Sequence, residues 1–399
     1  MFRLVYTSKL GNRKEHILAF LTLHHFNNNI VEGHKILSDR IINTVSKALD
    51  WNILIISLER ADFASLKNEI PYRELAPRYI DWFTGTVKLF NILESMNASV
   101  IHILAYNKVF PILFESITRA RRRRIVAHLY FHPTAFRDFK HFPLKLLLKL
   151  NLFDKIITTS KTLKEYLIKN LDLPDEHVEY IPPIIPEGFF EFDYIASRDF
   201  VFQVRRRYGL NENDFVIAYI GHIIPQRGIF ELIMAFKEAI KCNSSLKLLI
   251  SHSNIVFEDL SVNYLYMLKR IIEKYNLQNK IILTGKQDLK TLYISSDILF
   301  LGFRESFYFT YPPLVVCEAM AAGVPFILRY STLVKELFTN IPPVPVYRDV
   351  GELVNILCSL SDGGLSLYSV SKTLKEIALS NYHPRVVTPK LLEAYHKLV

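Results

Sequence analysis

Residues that could bind or polarise an anionic, hydroxyl-rich substrate recur at several places in this chain, and the densest group runs from Phe300 to Pro325. Pro312 and Pro313 stand in tandem there, followed by Leu314, Val315, Val316 and Glu318. Prolines fit the first turn of a helix, where a missing N–H costs nothing, so a helix is expected from near Pro312. The N–H groups of Leu314, Val315 and Val316 then fall in that first turn without intrahelical partners, which makes a potential anion site. Glu318 follows about one and a half turns on. A carboxylate there suits a diol, because it accepts hydrogen bonds from two hydroxyls. A plain amphipathic helix capped by Thr310 would show the same residues.

A second group is Gly221, His222, Arg227 and Gly228, directly after the apolar run Phe215 to Ile220. A glycine at a strand end lets the backbone approach a phosphate, and Arg227 can grip one bidentately. His222 changes charge near neutral pH, so a site that uses it would be pH-dependent. A lone surface arginine in a turn is the plain alternative. A third candidate is His132, just past the strand-like run Ile125 to Tyr130, where ligands of open α/β sheets bind. A loop histidine next to Pro133 is its plain counterpart. His128, within that run, and His102, on the run before it, fit buried structural positions.

The elements that must carry these residues alternate between strand-like and helix-like segments, the pattern of a parallel α/β sheet. Expected strands in the first half are Ile17 to Leu23, Asn52 to Leu58, Val100 to Leu104, Ile125 to Tyr130 and Lys155 to Thr159. Ser160 is placed to cap the helix after the last of them. The second half restarts the pattern at Phe215. An amphipathic helix follows over Ile229 to Ile240, with strands at Leu246 to Ser251, from Ile281, at Ile298 to Phe303 and at Val324 to Leu328.

At 399 residues, half of them hydrophobic, the chain exceeds one ordinary core and is expected to form two domains of about 200 residues each. No apolar run approaches the roughly 18 residues of a spanning helix, and Ile17 to Leu23 reads as a strand instead of a signal segment. Cys242, Cys317 and Cys358 are widely spaced in apolar surroundings, which points to neither a disulfide framework nor a metal knuckle. A reducing cytoplasm is the expected compartment.

The stretch from Phe300 to Pro325 resembles the signature of retaining GT-B glycosyltransferases of the group 1, family 4 type. The resemblance covers the chain from about Ile17 onward. It implies two Rossmann-like domains whose parallel sheets face each other across a cleft. Residues 1–210 would hold the acceptor, 211–380 the nucleotide sugar, and 381–399 a helix crossing back to the first domain. In that family two glutamates with seven residues between them flank the helix start. Glu318 matches the second, which contacts the nucleotide ribose, and Thr310 stands at the first. Either Thr310 or Glu305 would then serve the sugar. The resemblance further has Gly33 face the sugar-nucleotide and His132 lie beside the transferred sugar or the acceptor, with Gly221, His222 and Arg227 on the diphosphate and Gly285 and Lys286 near the base. It implies transfer of a sugar from a nucleotide-diphosphate sugar with retention of configuration, and no metal cofactor. The chain has no Asp-x-Asp, the pair that holds the metal in GT-A enzymes.

The net charge of +10 implies a polyanionic partner. Arg119 and Arg121 to Arg124 form one block, and Lys140, Lys145 and Lys149 follow among leucines. Lys145 and Lys149 share a helix face, as on a helix at a lipid interface; a core helix with two snorkelling lysines is the alternative. The expected acceptor is accordingly lipid-linked or a growing glycan, and the expected location the cytoplasmic face of an anionic membrane. Two rival readings are a GT-B sugar transferase acting on DNA, against which the arginine block lacks interleaved aromatics, and a silent sugar-nucleotide-binding scaffold. Thr310 and His222 favour the scaffold. Nucleic acid is the less expected partner.

Overall fold

A computed structural model of the chain describes residues 16–22, 33–57, 72–74, 98–104, 123–137, 142–150, 152–191, 198–252, 258–285, 287–304, 311–330, 344–360 and 367–399. The first sheet has seven parallel strands, β1 (Ile17–Thr22), β2 (Asn52–Ser57), β3 (Tyr72–Glu74), β4 (Val100–Ile103), β5 (Arg124–Leu129), β6 (Lys155–Thr158) and β7 (Val178–Tyr180), in the order β3-β2-β1-β4-β5-β6-β7. The second has six, β8 (Phe215–Ile220), β9 (Leu246–Ser251), β10 (Ile281–Thr284), β11 (Ile298–Leu301), β12 (Phe326–Arg329) and β13 (Val346–Tyr347), in the order β10-β9-β8-β11-β12-β13. Among the described residues, every pairing in both sheets is parallel. Both faces of such sheets must be covered, which is why the strands read as unbroken apolar runs. The expected two-sheet GT-B architecture is therefore present. Three strands escape the sequence pattern, β3, β7 and β13, all of them two or three residues long and at or near sheet edges.

The helices of the first unit are α1 (Gly33–Ala48), α2 (Phe142–Lys149) and α3 (Lys161–Leu171). Ser160 caps α3 by accepting from the Leu163 N–H at 3.1 Å, as its position predicts. The second unit carries α4 (Arg198–Arg206), α5 (Ile229–Ala239), α6 (Glu258–Lys274), α7 (Leu289–Ser295), α8 (Leu314–Ala322), α9 (Val350–Ser359) and α10 (Leu367–Asn381). The last helix, α11 (Pro384–His396), lies on the first sheet. Its Val387, Leu391, Ala394 and Tyr395 share a core with Leu37, Ile41 and Val45 of α1 and with Phe20 and Val100. No helix among the described residues is long and apolar enough to cross a membrane.

The expectation of unpaired cysteines is overturned. Cys242 and Cys358 form a disulfide with 5.8 Å between Cα atoms. They lie 116 positions apart, so spacing gave no hint; the end of α5 meets the end of α9 only once the second unit is folded. Cys317 is the free thiol, and burial pushes it up to about 12.

Candidate functional site

In a doubly wound sheet, ligands collect beyond the carboxyl ends of the strands where the strand order reverses. In the second sheet that point lies between β8 and β11, and the residues that follow these strands meet there. Gly221 adopts φ +150°, and a Cβ built on it would stand 2.9 Å from Arg227 Nη1. The glycine leaves room for the arginine side chain. Arg227 itself closes a single 3-10 turn, Pro225–Arg227, and its guanidinium lies 5.5 Å from the ring centre of Phe303, just past β11. Burial lowers its pKa, a cost that an anion placed beside it would offset. Gly228, at φ +71°, packs its backbone on Gly302; a Cβ there would come 2.7 Å from the Gly302 carbonyl oxygen. Tyr219 on β8 hydrogen-bonds the carbonyl of His222, which fixes the turn, and burial raises the Tyr219 pKa so that it stays a donor. Gly285 follows β10, and its carbonyl accepts from Ser251 Oγ at 3.3 Å.

A cluster absent from the sequence reading holds the same strand ends together. Glu231 on the first turn of α5 pairs with Arg304 and accepts from Arg329 at 2.8 Å and from Tyr347 at 3.2 Å. The Arg304 N–H donates to Gln226 at 2.9 Å, tying the loop after β11 to the Arg227 turn.

Helix α8 begins at Leu314, two residues later than the proline pair predicts. Pro313 is its N-cap residue, with ψ 126°. Pro312 precedes a proline, which disfavours the helical region, and Tyr311 ahead of it is bonded to the first unit instead of to the helix. The Tyr311 N–H donates to Tyr130 at 2.7 Å and Thr159 Oγ1 donates to the Tyr311 carbonyl at 2.6 Å. One first-turn donor expected to be open is used internally, since the Val316 N–H donates to Pro313 at 3.0 Å. These contacts seat the start of α8 against the carboxyl ends of β5 and β6, where His132 lies. The rings of His132 and Tyr311 are 4.9 Å apart, edge to face. The side chain of Leu314 packs into the core of the first unit.

Glu318 sits one turn further along α8 and is 3% exposed. Its carboxylate is paired on both oxygens: Arg40 of α1 reaches Oε1, and Tyr293 of α7 donates to Oε2 at 3.0 Å. The Tyr293 pKa is raised well above the usual range by burial, then by Glu318, so its hydroxyl remains a donor. Arg40 and Tyr293 carry no sequence signal as partners of this glutamate, because Arg40 is 278 positions away. Gly33 is the first residue of α1. Thr310, Glu305 and Lys286 lie outside the described residues, as do Arg119, Arg121, Arg122 and Lys140.

His102 and His128 are core residues, as expected. They stack at 5.3 Å with Nδ1 of His128 3.3 Å from Nε2 of His102, and His102 Nδ1 meets the Tyr395 hydroxyl of α11 at 2.8 Å.

Comparison with known proteins adds to this geometry. Residues 201–341 match the family described as Glycosyl transferases group 1. The crystal structure of HepE from Anabaena in complex with UDP superposes with a TM-score of 0.76 over 95% of this chain and 99% of that one, at 16% identity. The fold is that of the GT-B glycosyltransferases. A glycosyltransferase from Rickettsia africae matches at a TM-score of 0.75 and 18% identity, covering 96% of this chain and 98% of its own. An uncharacterised glycosyltransferase of Methanocaldococcus jannaschii is 27% identical over 233 residues, 56% of this chain. That match spans 55% of the relative's own length. Between the units, the start of α8 and His132 come together through Tyr311.

Proposed function

We propose that the protein transfers a sugar from a nucleotide-diphosphate sugar to an acceptor, with retention of configuration and without a metal cofactor. The observation that carries this reading is the seating of α8: Tyr311, just ahead of its first turn, meets His132, its carboxylate Glu318 lies one turn in, and the domain around it matches the Glycosyl transferases group 1 family. HepE structures with UDP and with UDP-glucose support a nucleotide sugar as donor. In this account Glu318 accepts hydrogen bonds from the ribose hydroxyls. Arg227 and the free N–H groups at the start of α8 take up the charge that grows on the diphosphate as the sugar leaves. The acceptor attacks from the face the diphosphate vacates, beside His132, and the leaving phosphate itself can take its proton.

The acceptor is proposed to be lipid-linked. On α2, Leu144, Leu147 and Leu148 are buried in the first core, whereas Leu146 and, just past the helix, Leu150 are 44% and 58% exposed. Lys149 is exposed beside them. The helix is thus partly core and partly free to meet a bilayer. Arg124 spends part of its charge on Asp154, at 3.0 Å, and Arg123 donates to the Ala98 carbonyl at 2.8 Å. Sedimentation with anionic vesicles at low salt tests this arm: the wild type should pellet and Leu146→Ser with Leu150→Ser should not. A wild type that stays in the supernatant contradicts membrane docking. The transfer itself is tested by following nucleoside diphosphate release from a panel of nucleotide sugars, with the product anomer read by proton NMR. An inverted product contradicts the retaining mechanism.

A further inference from the structure

The ion pair between Arg40 and Glu318 joins the two units of the molecule at the residue proposed to read the ribose. Arg40 lies on α1 of the first unit, Glu318 on α8 of the second, and their side chains are 10% and 4% exposed. Arg40 is itself held in place. Its Nη1 lies 3.5 Å from the carbonyl oxygen of Ile184, and its guanidinium stands 5.8 Å over the ring of Phe189. Both of those residues belong to the segment between β7 and α4.

An ionised carboxylate offers about four lone-pair sites on its two oxygens. Arg40 occupies one oxygen and Tyr293 the other. That leaves acceptor capacity on each oxygen, which is what two neighbouring hydroxyls require. It also fixes the plane of the carboxylate, since each oxygen is tied to a different element. We infer that Arg40 is a positioning residue for donor recognition: from the first unit, it sets the Glu318 carboxylate to accept the cis-diol of a nucleoside diphosphate. This rests on the reading of Glu318 as the ribose acceptor. It adds that the unit opposite the donor pocket contributes to donor selectivity, acting through Glu318 without touching the ligand.

An ordinary ion pair between domains would predict something different. Its loss would weaken binding of every nucleotide alike through a looser fold. Positioning predicts a loss confined to ligands that carry the diol.

The test measures by calorimetry the binding of UDP, GDP and ADP and of their 2′,3′-dideoxy counterparts to wild type, Arg40→Met and Arg40→Lys. For the diphosphate that binds, the wild type should prefer the ribo form by about 10-fold or more, the worth of one to two hydrogen bonds to a charged acceptor. In Arg40→Met that preference should collapse to about 2-fold through weaker binding of the ribo form alone. Arg40→Lys keeps a cation without the planar fork and should fall between. It also serves where the methionine variant does not fold. A preference retained in both variants, or an equal loss for ribo and dideoxy forms, overturns the role of Arg40. A wild type that shows no preference, or binds none of the three diphosphates, overturns the ribose reading of Glu318 instead.

Discussion

The ring of Tyr311, ahead of α8, meets the ring of His132, beyond β5, edge to face at 4.9 Å. Two hydrogen bonds from the first unit, the Tyr130 carbonyl on the Tyr311 N–H and Thr159 Oγ1 on its carbonyl, hold that pairing. The helix start proposed to receive the diphosphate is therefore positioned by the unit proposed to hold the acceptor.

If His132 lies beside the transferred sugar, His132→Ala should lower turnover by on the order of 10- to 100-fold while nucleoside diphosphate affinity changes by less than about 3-fold. Steady-state kinetics paired with calorimetry checks this. Normal turnover in a folded variant would remove His132 from the site.

Gly221→Ala should act through Arg227. The added Cβ would sit 2.9 Å from Nη1, and φ +150° is a conformation that alanine rarely adopts. We expect a stability loss of about 1–2 kcal/mol from the backbone strain and a displaced guanidinium. Turnover should fall further than Tm does. Urea unfolding combined with kinetics reads both, and a variant with wild-type turnover would show that Arg227 does not face the reaction.

The disulfide between Cys242 and Cys358 closes a loop of 116 positions. Its loss in Cys358→Ser should cost about 2–4 kcal/mol through the freed unfolded chain. Wild type treated with reductant should match the variant. Equal stability of the oxidised wild type and Cys358→Ser, or two titratable thiols more than Cys317 in the untreated protein, would contradict the bond.

Acid should unfold the first unit through its buried histidines. Desolvation lowers His128 to about 3, and the same cause, with His128 as neighbour, lowers His102 well below its ordinary value. Between those values and the unfolded value near 6.5, the unfolded chain binds more protons than the native one. Stability is thus full above about pH 6.5 and declines below it, by roughly 1.4 kcal/mol per pH unit for each histidine that stays neutral. In His128→Leu that slope should shrink by about one proton, as measured by urea unfolding at pH 7, 6 and 5. An unchanged slope would show that His128 is protonated in the native state.

Much of the fold was legible because parallel strands covered on both faces are apolar runs of strand length. Phe215–Ile220 and Leu246–Ser251 needed no tertiary information. The strands β3, β7 and β13 have two or three residues each, too few for any period to show. Glu318 and Arg227 stood out as candidates from local glycines and prolines that mark a strand end or a helix start. Arg40, Tyr293, Tyr311 and the Glu231 cluster were not, because each acquires its role from a partner on another element. The disulfide was missed for the same reason, and the extended N-cap at Pro313 delayed a helix that the prolines alone would have opened earlier.

The claim that most needs testing is that this chain turns over a nucleotide sugar at the site around Glu318. The direct measurement is nucleoside diphosphate release from UDP-, GDP- and ADP-sugars, with and without polyprenyl-phosphate and glycolipid acceptors, for wild type and Glu318→Gln. Glutamine is the better variant, since alanine would take their carboxylate partner from buried Arg40 and Tyr293, leaving them the longer contacts to the Ile184 and Val315 carbonyls, at a cost of about 1–3 kcal/mol. We predict release in at least one acceptor-containing lane, reduced by about 10-fold or more in folded Glu318→Gln. Release that is absent from every lane, or unaffected by the substitution, would contradict the account.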